Sequence, residues 1–243
     1  TEAYFYKTKA QIDLRSYSGA LKTIEKASKK YPLLKFRFEY LKAKILKSQE
    51  KFDESKKLLQ FILTQHPFHS ESHLLLAQIM GEEGGEVQSI LGFQMAIISN
   101  RQSSSLRPSF SGMGDMMQGN FAITREKEDS EIYKQINSLI SSGLALKGDY
   151  AAVLPIKYAT NNVTDLIISQ LNYRPNLDDF TMEYYIKFIN EVKLAGLEKG
   201  YILYVMSVIN HPTVKKALAN HKTVIEEFAK FNFKYWNEHL NNN

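Results

Sequence analysis

Apolar positions recur along this chain at helical spacing, and one such pattern occurs twice. Tyr17, Ala20, Ile24 and Ala27 lead to Pro32; Phe52, Ser55, Leu59 and Ile62 lead to Pro67. In each copy an aromatic is followed at +3 by a small residue, at +7 by an aliphatic, at +10 by Ala or Ile and at +15 by proline. Offsets of 3, 7 and 10 trace one face of a helix. Proline then ends that helix, because it lacks an N–H and restricts the residue before it. The two copies lie 35 residues apart.

An amphipathic helix is expected before each later copy of the pattern. Phe36, Tyr40, Ala43 and Lys47 share one face, with Phe38, Leu41 and Ile45 on the neighbouring one. Leu74, Leu75, Leu76, Ala77 and Met80 open the next unit. Ala43 and Ala77 are 34 residues apart and stand where two paired helices must approach closely. Ser89, Phe93 and Ala96 close a third unit, with Arg101 near the place of the missing proline. The run Gly81, Glu82, Glu83, Gly84, Gly85 is too acidic to cradle a phosphate and reads as the turn between paired helices.

A helix–turn–helix unit of about 34 residues, small at its close contact and closed by proline, resembles the tetratricopeptide repeat family. The resemblance covers residues 1–100. It is degenerate: Tyr4 and Glu39 stand where the family has tryptophan, and Lys7-Thr8 and Lys42-Ala43 replace its leucine–glycine pair. It implies an all-α fold, a right-handed α-α superhelix of helical hairpins. It also implies a concave face lined by the first helix of each pair. Carried over residue by residue, that lining is Phe5, Lys9, Arg37, Tyr40, Lys44 and Gln78. Cations mixed with aromatics suit an acidic segment with an apolar anchor. The set departs from the family's carboxylate clamp, since Phe5 and Lys9 stand where lysine and asparagine are expected.

Residues 101–125 are rich in Ser, Gly and Met and read as a linker or loop, with Met113, Met116 and Met117 either an adaptable contact surface or tucked against a neighbouring helix. Residues 126–243 read as a diverged helical-repeat region. Ile132, Ile136, Leu139, Ile140 and Leu144 form a stripe ending in the turn 147–150, where Asp149 is a candidate cap and Pro155 is expected to kink or shorten the next helix. Short helices follow over 163–171 and 180–195. Leu197 through Pro212 falls in the register of Tyr17 through Pro32, with Gly200 at the small position. A final aromatic-rich helix over 212–240, carrying Val224, Phe228, Phe231, Tyr235 and Trp236, suits the cap that a repeat array needs.

Composition narrows the function classes. Hydrophobic residues make up 44% of the 243, enough for a sizeable core, and no run suffices for a membrane-spanning helix. The absence of cysteine excludes disulfides, thiolate metal sites and thiol nucleophiles. The expectation is a soluble chain, cytoplasmic or exported after removal of a leader, since it opens on Thr1. Residues 1–60 hold 15 Lys or Arg against 7 Asp or Glu, so one end is basic. His66, His69 and His73 cluster, but one i, i+4 pair lacks the ligand count of a zinc site. Asp178 and Asp179 stand at a helix start, where carboxylates cap and favour the dipole. No cofactor or metal is implied, and no nucleophile–base pair stands out. The sequence therefore points to a non-enzymatic scaffold or adaptor with a protein or peptide partner, acidic in character. Contact with nucleic acid through the basic end is the alternative, and an enzyme with a catalytic C-terminal half is the third reading.

Overall fold

The computed structural model describes residues 1–117, 122, 131, 133–138, 155–175, 179–210 and 212–241. All regular elements among them are helical. Three hairpins lead: α1 (Glu2–Asp13) with α2 (Tyr17–Lys30), α3 (Lys35–Ser48) with α4 (Phe52–Gln65), and α5 (Ser70–Glu82) with α6 (Glu86–Ser99). From α1 to α6 each helix packs on the next, and α1 also touches α3, as α3 touches α5.

The repeat is written into the backbone. Arg15, Glu50 and Gly84 all take positive φ (55°, 61° and 85°) at the turn inside each hairpin. In each, the next residue donates its N–H to a carbonyl five residues back: Ser16 to Gln11, Lys51 to Leu46, Gly85 to Met80. This is a left-handed helix stop that satisfies otherwise orphaned carbonyls. The close contact repeats too. Ser55 Oγ donates to the Ala43 carbonyl at 2.8 Å, and Ser89 Oγ donates to the Ala77 carbonyl at 2.9 Å. Thr8 and Ala20, both buried, hold those places in the first hairpin. Only small residues let the two backbones come this near.

Beyond α6 the chain folds back. Residues 106–117 of the stretch read as a linker form a helix, α7 (Leu106–Met117). Met113, Met116 and Met117 are buried there, and Gly112 admits the Phe93 ring so closely that a Cβ would lie 2.5 Å from it. The next described helix is α8 (Pro155–Gln170); the residues before Pro155, on which the expected kink depends, lie outside the described ones. A π-helical stretch, Thr181–Ile186, runs into α9 (Lys187–Leu194), followed by α10 (Glu198–Met206), α11 (Pro212–Asn220) and α12 (Lys222–Asn241). The expected single last helix is thus two, separated at His221. Ile132, Leu139, Ile140, Leu144, the turn 147–150 with Asp149, and Asp178 lie outside the described residues.

The hairpin turn occurs a fourth time, at Gly196 (φ 67°), with the Leu197 N–H bonded to the Val192 carbonyl. Counted from this turn, Tyr201 and not Gly200 matches Ala20, Ser55 and Ser89, so the sequence register there is off by one residue. Gly200 instead lets α12 in, for a Cβ would lie 2.6 Å from the Val224 carbonyl oxygen.

The later helices enclose α6, which is buried at every residue from Ser89 to Ile98 and touches α5, α7, α10 and the π-helical stretch. Polar bonds fix their placement: Tyr201 Oη donates to Gln94 Oε1, and Gln94 Nε2 donates to Thr164 Oγ1, both at 2.7 Å. Arg101, near the place of the missing proline, donates to the Tyr204 carbonyl and to Ser207 Oγ. One apolar cluster runs from Ala43 to Trp236, and a smaller one joins α1 and α2 to α3.

Candidate functional site

The odd-numbered helices α1, α3 and α5 lie side by side and offer a common face. The 35- and 34-residue offsets place equivalent side chains in rows across it. Glu2, Arg37 and Glu71 form one row; Phe5, Tyr40 and Leu74 the next; Lys9, Lys44 and Gln78 the third. Phe5, Tyr40, Leu74, Arg37, Lys44, Glu71 and Gln78 are half-buried, while Lys9 and Glu2 are exposed.

Arg37 binds this face together. Its guanidinium lies 4.7 Å from the Phe5 ring centroid and donates to Glu2 Oε1 at 2.9 Å. Lys9 Nζ stands 5.7 Å from the same ring. A cation over an aromatic face is held by the ring quadrupole. Tyr40 reaches the start of α5, edge-on to His69 at 5.3 Å. Phe36 stacks on His66 at 3.9 Å and meets His69 edge-on at 5.4 Å. The structure thus joins Phe5, Lys9 and Arg37 directly and sets Tyr40 against a histidine. Lys44 and Gln78 occupy their row without ion-pairing to a described residue.

Electrostatics differ at the two ends of the face. Burial pushes the His69 imidazole down to about 4; Glu71 opposes this, while His66 and Arg37 add to it. Burial also lowers His66, against the pull of Glu39. Burial, then the Glu71 carboxylate, drives the Tyr40 hydroxyl far above its ordinary value. Glu71 itself is held below the usual carboxylate range: burial raises it, but the Ser103 hydroxyl at 2.8 Å, a backbone N–H and His69 outweigh that. At neutral pH the α5 end therefore carries neutral imidazoles beside an anion, and the α1–α3 end is cationic.

Several polar groups are already committed to contacts within the fold. His73 is fully buried and uses both ring nitrogens: Nε2 lies 2.9 Å from the Pro67 carbonyl and Nδ1 3.1 Å from Tyr185 Oη. A carbonyl can only accept, so Nε2 carries the proton and Nδ1 accepts from the tyrosine, leaving no lone pair for a metal. Among the described residues no three metal-ligating side chains converge. Ser72 Oγ sits 2.7 Å from His69 Nδ1, but the serine is fully buried, so the pair is closed to a substrate. Asp179 accepts from the Thr181 N–H at 2.8 Å and from Tyr133 Oη at 2.6 Å, which is the work of a helix cap.

The basic end is partly neutralised. Lys29, Lys35, Arg37, Lys47, Lys51 and Lys56 each face a carboxylate within 3.9 Å. No helix among the described residues is long and apolar enough to cross a membrane.

Sequence reasoning overlooked Leu74, Glu71, Phe36, His66 and His69 as parts of the face. The signal was present for the first two: Leu74 is 34 residues beyond Tyr40, and Glu71 is 34 beyond Arg37. Ser103 carried none, because it reaches Glu71 from the connection between α6 and α7. Comparison with family models, with curated proteins and with solved structures finds no match for this chain.

Proposed function

We propose that the chain is a tetratricopeptide-like array, wound as a right-handed superhelix, that binds a protein segment on the face of α1, α3 and α5 and acts as a scaffold or adaptor rather than as an enzyme. The observation that carries this reading is the triple row. Phe5, Tyr40 and Leu74 supply an apolar line, half-buried and so already shaped by their neighbours. Lys9 and Lys44 flank it on one side and form no ion pair with a described residue. Apolar anchors beside unpaired cations are the composition of a site for an acidic segment.

The rival reading, contact with nucleic acid through residues 1–60, has less behind it, since six of those cations already face carboxylates. It also requires a steep dependence of affinity on salt for any DNA or RNA sequence.

The test is selection from a displayed library of random dodecapeptides on the intact chain, repeated with Lys9→Glu and Lys44→Glu together. Lys9 is exposed and Lys44 half-buried, and neither pairs with a described carboxylate, so the fold should persist, with far-UV circular dichroism reporting on it. Acidic peptides with apolar anchors that the double variant loses would support the reading. Peptides retained equally by the variant would reject this face.

A further inference from the structure

The row spacing defines the conformation of the segment, given the binding face proposed above. Helices in contact lie about 8–10 Å apart between axes, and α1, α3 and α5 are in contact in series. Phe5, Tyr40 and Leu74 are equivalent by repeat, so each step along their row is one helix spacing. A bound chain that places a side chain on each must repeat at about that distance.

Regular backbones differ in this respect. An α-helix returns to the same face about every 5.4 Å. An extended strand does so every second residue, about 6.7 Å. Polyproline II returns every third residue, and at about 3.1 Å per residue its repeat is about 9 Å. One α-helical turn falls short of the row and two turns, about 10.8 Å, overshoot it, so the polyproline II repeat fits best.

The flanking rows fix the remaining positions. Lys9, Lys44 and Gln78 stand four residues further along their helices than the apolar row, about 6 Å away. Glu2, Arg37 and Glu71 stand three residues the other way, about 4.5 Å. In a threefold helix the two residues between successive anchors point to opposite sides. One set therefore faces Lys9 and Lys44, and the other faces a row whose two carboxylates flank the already engaged Arg37. The acids belong on the lysine side and uncharged residues on the other.

We infer that the occupant of this face is a polyproline II segment with an apolar residue at every third position and an acidic residue at one fixed place in each triplet. It crosses α1, α3 and α5 over Phe5, Tyr40 and Leu74, in the direction that turns its acids to Lys9 and Lys44. Proline suits the remaining place, since it holds the preceding residue extended.

The probe is a fluorescein-labelled nonapeptide of three Leu-Glu-Pro triplets, titrated with the intact chain and followed by polarisation. Its control has the same composition in blocks: three leucines, three prolines, three glutamates. The triplet peptide is expected to bind at least tenfold more tightly than the block isomer. Lys9→Glu with Lys44→Glu should weaken it at least tenfold, with the helical far-UV circular dichroism unchanged. Equal binding of both isomers, lost in the double variant, would overturn the threefold pattern while leaving the face as the binding site. Binding of neither would overturn the pattern as well, and the library selection then decides the face alone. Triplet binding unaffected by the double variant would overturn both.

Discussion

Gly92 shows how a single hydrogen atom sets the distance between α5 and α6. A Cβ at this position would lie 2.8 Å from the Ala77 Cβ and 3.2 Å from the Ala77 Cα, and backbone cannot yield as a flexible side-chain end does. In an exposed helix Gly→Ala gains about 1 kcal/mol. Here overpacking, about 1–3 kcal/mol, exceeds that gain. Gly92→Ala is therefore expected to lower the thermal midpoint, against its helix propensity, and a rise would show that the hairpin has slack. His73 gives the residue scale a pH dependence. Its folded value lies near 3, burial being the main cause, and that of His69 near 4, against 6.5 for a free imidazole. Both values are depressed, so the unfolded chain takes up protons first. Their contribution is complete above pH 6.5 and is lost as pH falls towards 4 and 3, at about 1.4 kcal/mol per histidine per pH unit. Urea midpoints followed by Trp236 should fall between pH 7 and pH 5. An unchanged midpoint would mean that these imidazoles are solvated.

At the scale of the element, the hairpin turn carries a contrast between its four copies. Gly84 and Gly196 hold positive φ without a side chain, whereas Arg15 and Glu50 hold it with one. A left-handed non-glycine residue costs about 1–2 kcal/mol, partly returned because glycine is freer in the unfolded chain. Arg15→Gly and Glu50→Gly should each stabilise by up to about 1 kcal/mol, and Gly84→Ala should destabilise by a similar amount, as read by urea unfolding. The turns also show why parts of the fold were legible and parts were not. The aromatic, small residue and proline of the first two units mark helix starts, contacts and ends, so their register could be read directly. Residues 106–117 have the composition of a loop, yet Gly112 is needed to admit Phe93 and the methionines are buried; packing overrides propensity there. In Leu197 through Pro212 the proline spacing misled by one residue, because the backbone turn at Gly196, and not the distant proline, sets the register. For the site, repeat offsets made the rows readable, whereas the His69–Tyr40 and Ser103–Glu71 contacts depend on how the loops close.

For the molecule as a whole, the two apolar clusters imply unequal stability along the chain. The first hairpin contributes only to the smaller cluster, while α6 lies inside the larger one with helices on several sides. Amide exchange should run fastest in α1 and α2 and slowest in α6, as hydrogen-exchange mass spectrometry can establish. Protection in α1 equal to that in α6 would mean that the whole chain opens as one unit. The enclosure of α6 also bears on how the chain is made. Its cover includes Thr164, Tyr185 and Tyr201, which leave the ribosome more than sixty residues after α6 does. Throughout that interval a helix of Ile90, Leu91, Phe93, Met95, Ile97 and Ile98 stands without that part of its sheath, an oily surface that newborn molecules offer one another until the covering residues have been made.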